Sequence, residues 1–292
     1  MPRPKLFSHI FRWLNVFIFI SLKQKKLSRR SKHPILENSP QKTHIITIFC
    51  SLLVFLNCQI GYCQKSPSPF HLGEHLEFQI KWSFIPAGRA SMEITPITQN
   101  ITDAAIHFIL KASTSPVIDL FYKFRERVDS YTNKKITRTL LYKKVQDGNT
   151  KRDITVKFDW HKHEAEYTNF KEKLKPISIK NGTLDVLAAF YFIRTQTLIV
   201  GQTIERPITD GKKVVIGRLH VLKREVIKIR GKKIDTFKLE PELKDVKGVF
   251  QKSKHAKMFI WVTADDRKML VRLKSKVIVG SFVANLVNLD QL

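Results

Sequence analysis

The sequence predicts a mainly β domain: an antiparallel, curved sheet or incomplete barrel or sandwich of about a dozen strands, with one short central helix. Three observations carry that prediction. The first is a two-residue alternation, clearest in Gly73–Ile94, where Leu76, Phe78, Ile80, Trp82 and Phe84 are separated by Glu77, Gln79, Lys81 and Ser83. Successive side chains of a strand point to opposite faces, so this spacing builds one dry and one wet face, whereas a helix would scatter the five apolar groups. The second is the recurrence of turn signals between such runs. The third is a single stretch with helical spacing, after Asp185.

In chain order, Ile85-Pro86-Ala87-Gly88 reads as the turn of an opening hairpin, because Pro fixes φ and Gly admits turn conformations. Ala90, Met92 and Ile94 resume the alternation, and Ile106 to Ala112 form a third strand. Val117–Phe124 is too densely apolar for periodicity to decide between strand and helical turn. Arg125–Tyr131 reads as a charged strand on an exposed face or edge. Thr139–Val145 and Arg152–Trp160 flank Asp147-Gly148-Asn149, a strong hairpin signal, and Glu164–Thr168 returns from a turn at His161-Lys162-His163.

The helix is expected over Val186–Arg194, with Asp185 as its N-cap accepting from the free amides of the first turn. Val186, Leu187, Phe190 and Tyr191 share a face, and a helix this short needs the sheet to stabilise it. A second β half follows: Thr203–Pro207, the Asp210-Gly211 turn, Val214–Ile229, a turn at Arg230–Lys233, Ile234–Glu240, Met258–Val262, Leu270–Val279 and Phe282–Val287. A sheet with one apolar face must bury it by sandwiching or curling. The Lys-rich strands suit protected edges.

Ahead of this domain lies a leader. Ile45–Asn57 is a short apolar run with Lys42 and His44 before it and Gly61-Tyr62-Cys63-Gln64 after it, which describes a secretory signal peptide over residues 44–63, cleaved after Cys63. The run is short for a membrane span, which needs about 20 apolar residues. Lipidation of Cys58 or Cys63 ranks second, since Asn57 and Tyr62 suit it poorly. Residues 1–43 hold another apolar run and the basic patch Lys23–Lys32; a start codon set upstream of the true one is preferred to a cytoplasmic extension. Residues 64–72 read as a linker and residues 73–292 as one domain. That domain contains no cysteine, hence no disulfide, thiolate metal site or cysteine nucleophile.

The formal charge is +27. Setting aside the ten basic residues and one acid of residues 1–63 leaves 42 basic and 24 acidic residues, still +18. Such a balance favours anionic partners, although a solvated basic surface is the plainer reading. Export separates the chain from cytoplasmic nucleic acid, and no reader motif is present, so nucleic acid is not an expected partner.

Gly73–Trp82 with Ile85–Gly88, Asp119–Tyr131, Leu184–Thr195, Asp210-Gly211, Ile234–Leu243 and Ile260–Val277 together resemble, in order and spacing, the domain of unknown function 3108 family, found in exported bacterial proteins. The resemblance covers about Gly73 to Leu289. It implies a β-rich fold and an envelope location, periplasmic or outer-membrane-associated in a Gram-negative-type bacterium. It implies no reaction and brings no active site.

The residues themselves point away from catalysis. No G-x-S-x-G elbow, G-x-G-x-x-G or P-loop occurs. Asp159, His161, His163 and Glu164 have ligand spacing but straddle a turn, so no metal is expected. Asp265-Asp266 and Glu240/Glu242 are carboxylate pairs, and the former most simply makes a turn. Neither catalytic residues nor a cofactor are assigned.

The aromatics give the functional hint. Their ordinary fate is core packing. The alternative is that Trp82, Phe84, Trp160, Phe190, Tyr191 and Trp261 line the hollow of a curled sheet and bind a lipid-like ligand. The expectation is a non-enzymatic, exported envelope protein that binds a hydrophobic or amphiphilic ligand, with membrane association only peripheral or through an uncleaved leader. A module that pairs with another envelope protein is the second reading, and a hydrolase acting on envelope glycan or lipid the third.

Overall fold

The computed structural model describes residues 69–242, 257–276 and 281–292. The expected leader, signal peptide and most of the linker lie outside the described residues, as do the ends of two quoted family stretches at Leu243 and Val277.

Among the described residues, fifteen strands form one antiparallel sheet. The first half contains β1 (His75–Trp82), β2 (Ile85–Thr95), β3 (Ile106–Thr114), β4 (Phe124–Thr132), β5 (Thr139–Gly148), β6 (Arg152–Asp159), β7 (Glu164–Asn169) and the two-residue strands β8 (Glu172–Lys173) and β9 (Ile177–Ser178). The second contains β10 (Thr203–Thr209), β11 (Val214–Ile229), β12 (Lys232–Pro241), β13 (Lys257–Thr263), β14 (Leu270–Lys276) and β15 (Ser281–Leu286). A helical turn α1 (Pro116–Asp119) precedes β4, and helix α2 (Val186–Arg194) joins the halves.

The spatial order is β10-β11-β12-β13-β14-β15-β1-β2-β3-β4-β5-β6-β7-β8, with β9 beside β7. The domain therefore starts in the middle of its own sheet, runs to one edge, crosses through α2 to the other edge, and returns until β15 pairs with β1 in a register that sets Ile80 opposite Ala284. This pairing closes the longest loop in the domain, whose entropic cost grows only slowly with length. Register shifts at Ile80/Lys81, Tyr131/Thr132, Val221/Lys223 and Trp261/Val262 add local twist, which is how a long sheet curls. One apolar cluster fills the curve, from Leu76 and Phe108 through Tyr191 to Leu239 and Phe282.

Among the described residues, the sheet does not close by hydrogen bonds between its edge strands. Its ends meet instead through the crossing segment and side chains. Leu184 donates to Pro207 O and accepts from Thr209 N, forming one parallel bridge to β10. The β10–β11 turn reaches the opposite wall, where a Cβ on Gly211, at φ +87°, would lie 2.5 Å from Val156. Lys212 Nζ caps the Tyr167 ring at 4.5 Å.

Several expectations are corrected. The opening turn is Ser83-Phe84, with Ser83 at φ 55°, and Ile85–Gly88 belongs to β2. Gly88 serves close approach rather than turning, since a Cβ there would fall 2.2 Å from Ser113 O across the β2–β3 pair. The turn after β5 starts at Asn149, two residues later than the Asp-Gly signal suggests, because Asp147 and Gly148 both belong to β5. The charged strand β4 is central, between β3 and β5, not an edge. Its Glu126 points inward and is matched by Lys144, so the charge is paired rather than exposed. Pro69 and Phe70, within the expected linker, are already tied to the core: Pro69 O accepts from Arg194, and the Phe70 ring meets Phe108 and Tyr191 edge-on.

Candidate functional site

The site is built around α2, which lies on the apolar side of the sheet between its halves. Asp185 is buried and caps the helix: Oδ1 accepts from Leu187 N (2.9 Å) and Ala188 N (3.0 Å), while Oδ2 accepts from Ser130 (2.6 Å) and Thr139 (2.7 Å). Burial nevertheless outweighs these donors and pushes the carboxyl above the ordinary range. At the other end, Arg194 is fully buried and bidentate to Glu74, and also donates to Arg267 O and Pro69 O. Both helix ends are thus pinned to the sheet by groups whose release would strand buried polar atoms.

One flank of α2 is packed tight. Tyr191 stacks on Phe108 at 3.8 Å with rings 10° apart, and burial pushes its phenol far up. The other flank leaves an apolar cleft of about 140 Å³ against the second sheet half. Val186, Ala189, Phe190 and Ile193 face Ile204, Ile208, Leu219, Met258, Ile260 and Leu273 across it. Ile208 lies over Gly217, where a Cβ would stand 2.3 Å from its Cδ1, so the wall stays flush.

The rim carries guanidinium groups. Arg206 projects from β10 with Ile204 and Ile208, stacks on Phe192 (4.4 Å) and donates to Thr137 O (3.0 Å). Its Nε is buried without a partner, and desolvation lowers its pKa. Arg218 bridges Glu205 and Glu242. An apolar slot beside a partly desolvated cation can hold a small apolar group that carries a polar or anionic end.

Of the six aromatics expected to line a hollow, only Phe190 borders this cleft. Tyr191 is on the packed flank. Trp261 lies on the opposite sheet face, donating to Glu225 (3.0 Å) beneath Lys238 and Arg272. Trp82 stacks on Phe282 at the end of β1, Trp160 donates to Thr139 O (2.7 Å), and Phe84 stands exposed on the first turn. The cleft residues that sequence reading missed, Ile204, Ile208, Leu219, Met258 and Arg206, carried one signal: a glycine, Gly217, inside a strand.

Two further features flank the site. The inward pair Glu126–Lys144 (2.6 Å) is fully buried; burial pushes the carboxyl up and the ammonium down. A wider recess of about 1060 Å³ lies over β1–β5, lined by outward groups including Arg89, Lys111, Arg125, Arg127, Glu77 and Glu93. Asp159 organises the His161–Lys162 turn by accepting from both amides, and Asp265 does the same for Lys268 N. Among the described residues no group of three or more His, Cys, Asp and Glu is placed to hold a metal ion.

Residues 77–287 match the family described as "Protein of unknown function (DUF3108)". The chain belongs to this family. Among solved structures, this family member is similar to a β-barrel-like protein of domain of unknown function 1849 from Brucella abortus, with a TM-score of 0.45 and 9% identity over 75% of this chain and 97% of that one. No curated protein matches it.

Proposed function

We propose that this protein is a non-enzymatic, exported envelope protein that seats the apolar end of an amphiphile between α2 and the second half of its sheet. The observation that supports the reading is the apolar cleft beside Arg206. Its size sets the ligand: an engineered cavity of about 150 Å³ holds one benzene, so about 140 Å³ holds an apolar group of roughly six carbons. That corresponds to the tip of an acyl chain rather than a whole lipid. The unpartnered Nε of Arg206 favours an anionic or strongly accepting head. The leader composition supports export.

Decanoate binding, followed by calorimetry alongside native mass spectrometry of protein from its own envelope, tests this reading. Ala189→Leu, which fills the cleft, is expected to weaken decanoate at least tenfold while the melting temperature holds. No retained amphiphile, together with unchanged decanoate affinity in Ala189→Leu, would refute it.

A further inference from the structure

Four of the twelve exposed large apolar side chains among the described residues lie on two neighbouring connections at one end of the sheet. In an antiparallel meander the β1–β2 and β3–β4 connections lie on the same end, and here they are neighbours. Gly88 pairs with Thr114, and just beyond them Ser115 donates its amide to Ala87 O (2.9 Å) and its hydroxyl to Pro86 O (3.0 Å). The first connection presents Phe84, 85% exposed; the second presents Val117, Leu120 and Phe121 at 64%, 80% and 62%. Ile118 and Tyr122 turn inward and are buried, so the outward set is held by a packed base. Side chains this exposed leave most of their apolar surface in water.

Cations surround them. Residues 81–89 and 115–125 contain Lys81, Arg89, Lys123 and Arg125 against one acid, Asp119, which is already bound to Arg125. Lys151, on the next connection at this end, has a side chain 75% exposed and lies 3.8 Å from Asp147, which leaves Lys81, Arg89 and Lys123 as the cations of this end with no acid of these connections bound to them. Apolar tips ringed by basic groups match a bilayer interface, where acyl chains receive the tips and anionic headgroups the cations. A second copy fits worse, because a two-fold contact would press this cationic ring onto itself. Among the described residues no helix is long and apolar enough to cross a membrane.

We infer that this end of the sheet is a docking surface for anionic lipid, with Phe84, Leu120 and Phe121 entering the headgroup boundary. The surface is distinct from the interior cleft and needs no ligand there.

The test uses the full chain carrying Phe84→Trp, with Val226→Trp as the control, since Val226 is 62% exposed but lies on β11 away from these connections. Vesicles of phosphatidylglycerol with brominated acyl chains report insertion by quenching, read for each added tryptophan as the difference from the unsubstituted chain, so that its four native tryptophans and any leader anchor cancel. Quenching at position 84 at least five times that at 226 is expected. It should fall at least fivefold when Leu120→Ser and Phe121→Ser are added, and weaken on neutral phosphatidylcholine or in high salt. Equal quenching at the two positions, or on the two lipids, overturns the inference. Dimerisation that the serine changes abolish, without quenching, assigns the surface to a second copy and likewise overturns it. Ala189→Leu should leave the quenching intact, so the two readings can fail separately.

Discussion

Lys144→Met isolates the most demanding pair in the domain. Lys144 Nζ lies 2.6 Å from Glu126 Oε2 with both side chains at 0% exposure, and neither carboxylate oxygen has another hydrogen-bond partner. Removing the ammonium leaves a buried charge that is too costly to keep, so the carboxyl takes up a proton instead. At pH 7 that uptake costs about 1.36 kcal/mol for each of the roughly 2.7 units above a free Glu, or about 3.7 kcal/mol, within the usual range for a broken buried pair. The sign follows from linkage. A lone Glu126 has its folded pKa raised, so the folded state binds the extra proton and the penalty grows as pH rises from the unfolded value. Urea denaturation should therefore give a loss of about 3.7 kcal/mol at pH 7 but only about 1 kcal/mol at pH 5. The double change Glu126→Leu/Lys144→Met should lie within about 1 kcal/mol of wild type or above it, because no charge remains to be desolvated. A pH-independent loss in Lys144→Met, or one below about 1 kcal/mol at pH 7, would refute the reasoning.

Two other predictions concern the helix cap and the outer face. Asp185→Ala strands two amides and two hydroxyls and should cost about 3–4 kcal/mol by thermal melting, while Asp185→Asn, which keeps one acceptor and faces rotatable hydroxyls, should cost about 1–2 kcal/mol. For Asp129, burial acts upward, but hydrogen bonds from His107 (2.9 Å) and Arg127 (2.8 and 2.7 Å) outweigh it and bring the carboxyl down to about 2. Its folded pKa is depressed, so about 1–2 kcal/mol of stability is present above pH 4 and lost as pH falls toward 2; Asp129→Asn should flatten that part of the urea-midpoint profile.

Local patterns in the chain carried much of the architecture. Asp185 and the nine residues after it form the cap and helix at the bounds that their spacing implies, because capping and amphipathicity act within a few residues. Val214–Ile229 likewise runs unbroken as β11. Where several residues needed a distant partner, local pattern failed. Arg125–Tyr131 looks exposed in isolation because nothing nearby says that Glu126 will face a lysine from the next strand. The Pro-Gly pair after Phe84 looks like a turn because the carbonyl that Gly88 accommodates comes from Ser113.

The aromatics illustrate the same division. Alternation places Trp82, Phe190 and Trp261 on faces, but it does not say which face is concave or where α2 leaves a gap. Phe190 and Tyr191 are adjacent, yet one borders the cleft and the other is stacked shut on Phe108. The sequence by itself determined a one-faced antiparallel sheet, the helix α2 that packs on it and the family. Only the tertiary structure decided that β15 pairs with β1, that a charged strand is central, and that small aliphatics beside Arg206 make the cleft. Periodicity is a property of neighbours along the chain, whereas strand order, curvature and cavities arise from contacts between residues far apart in it.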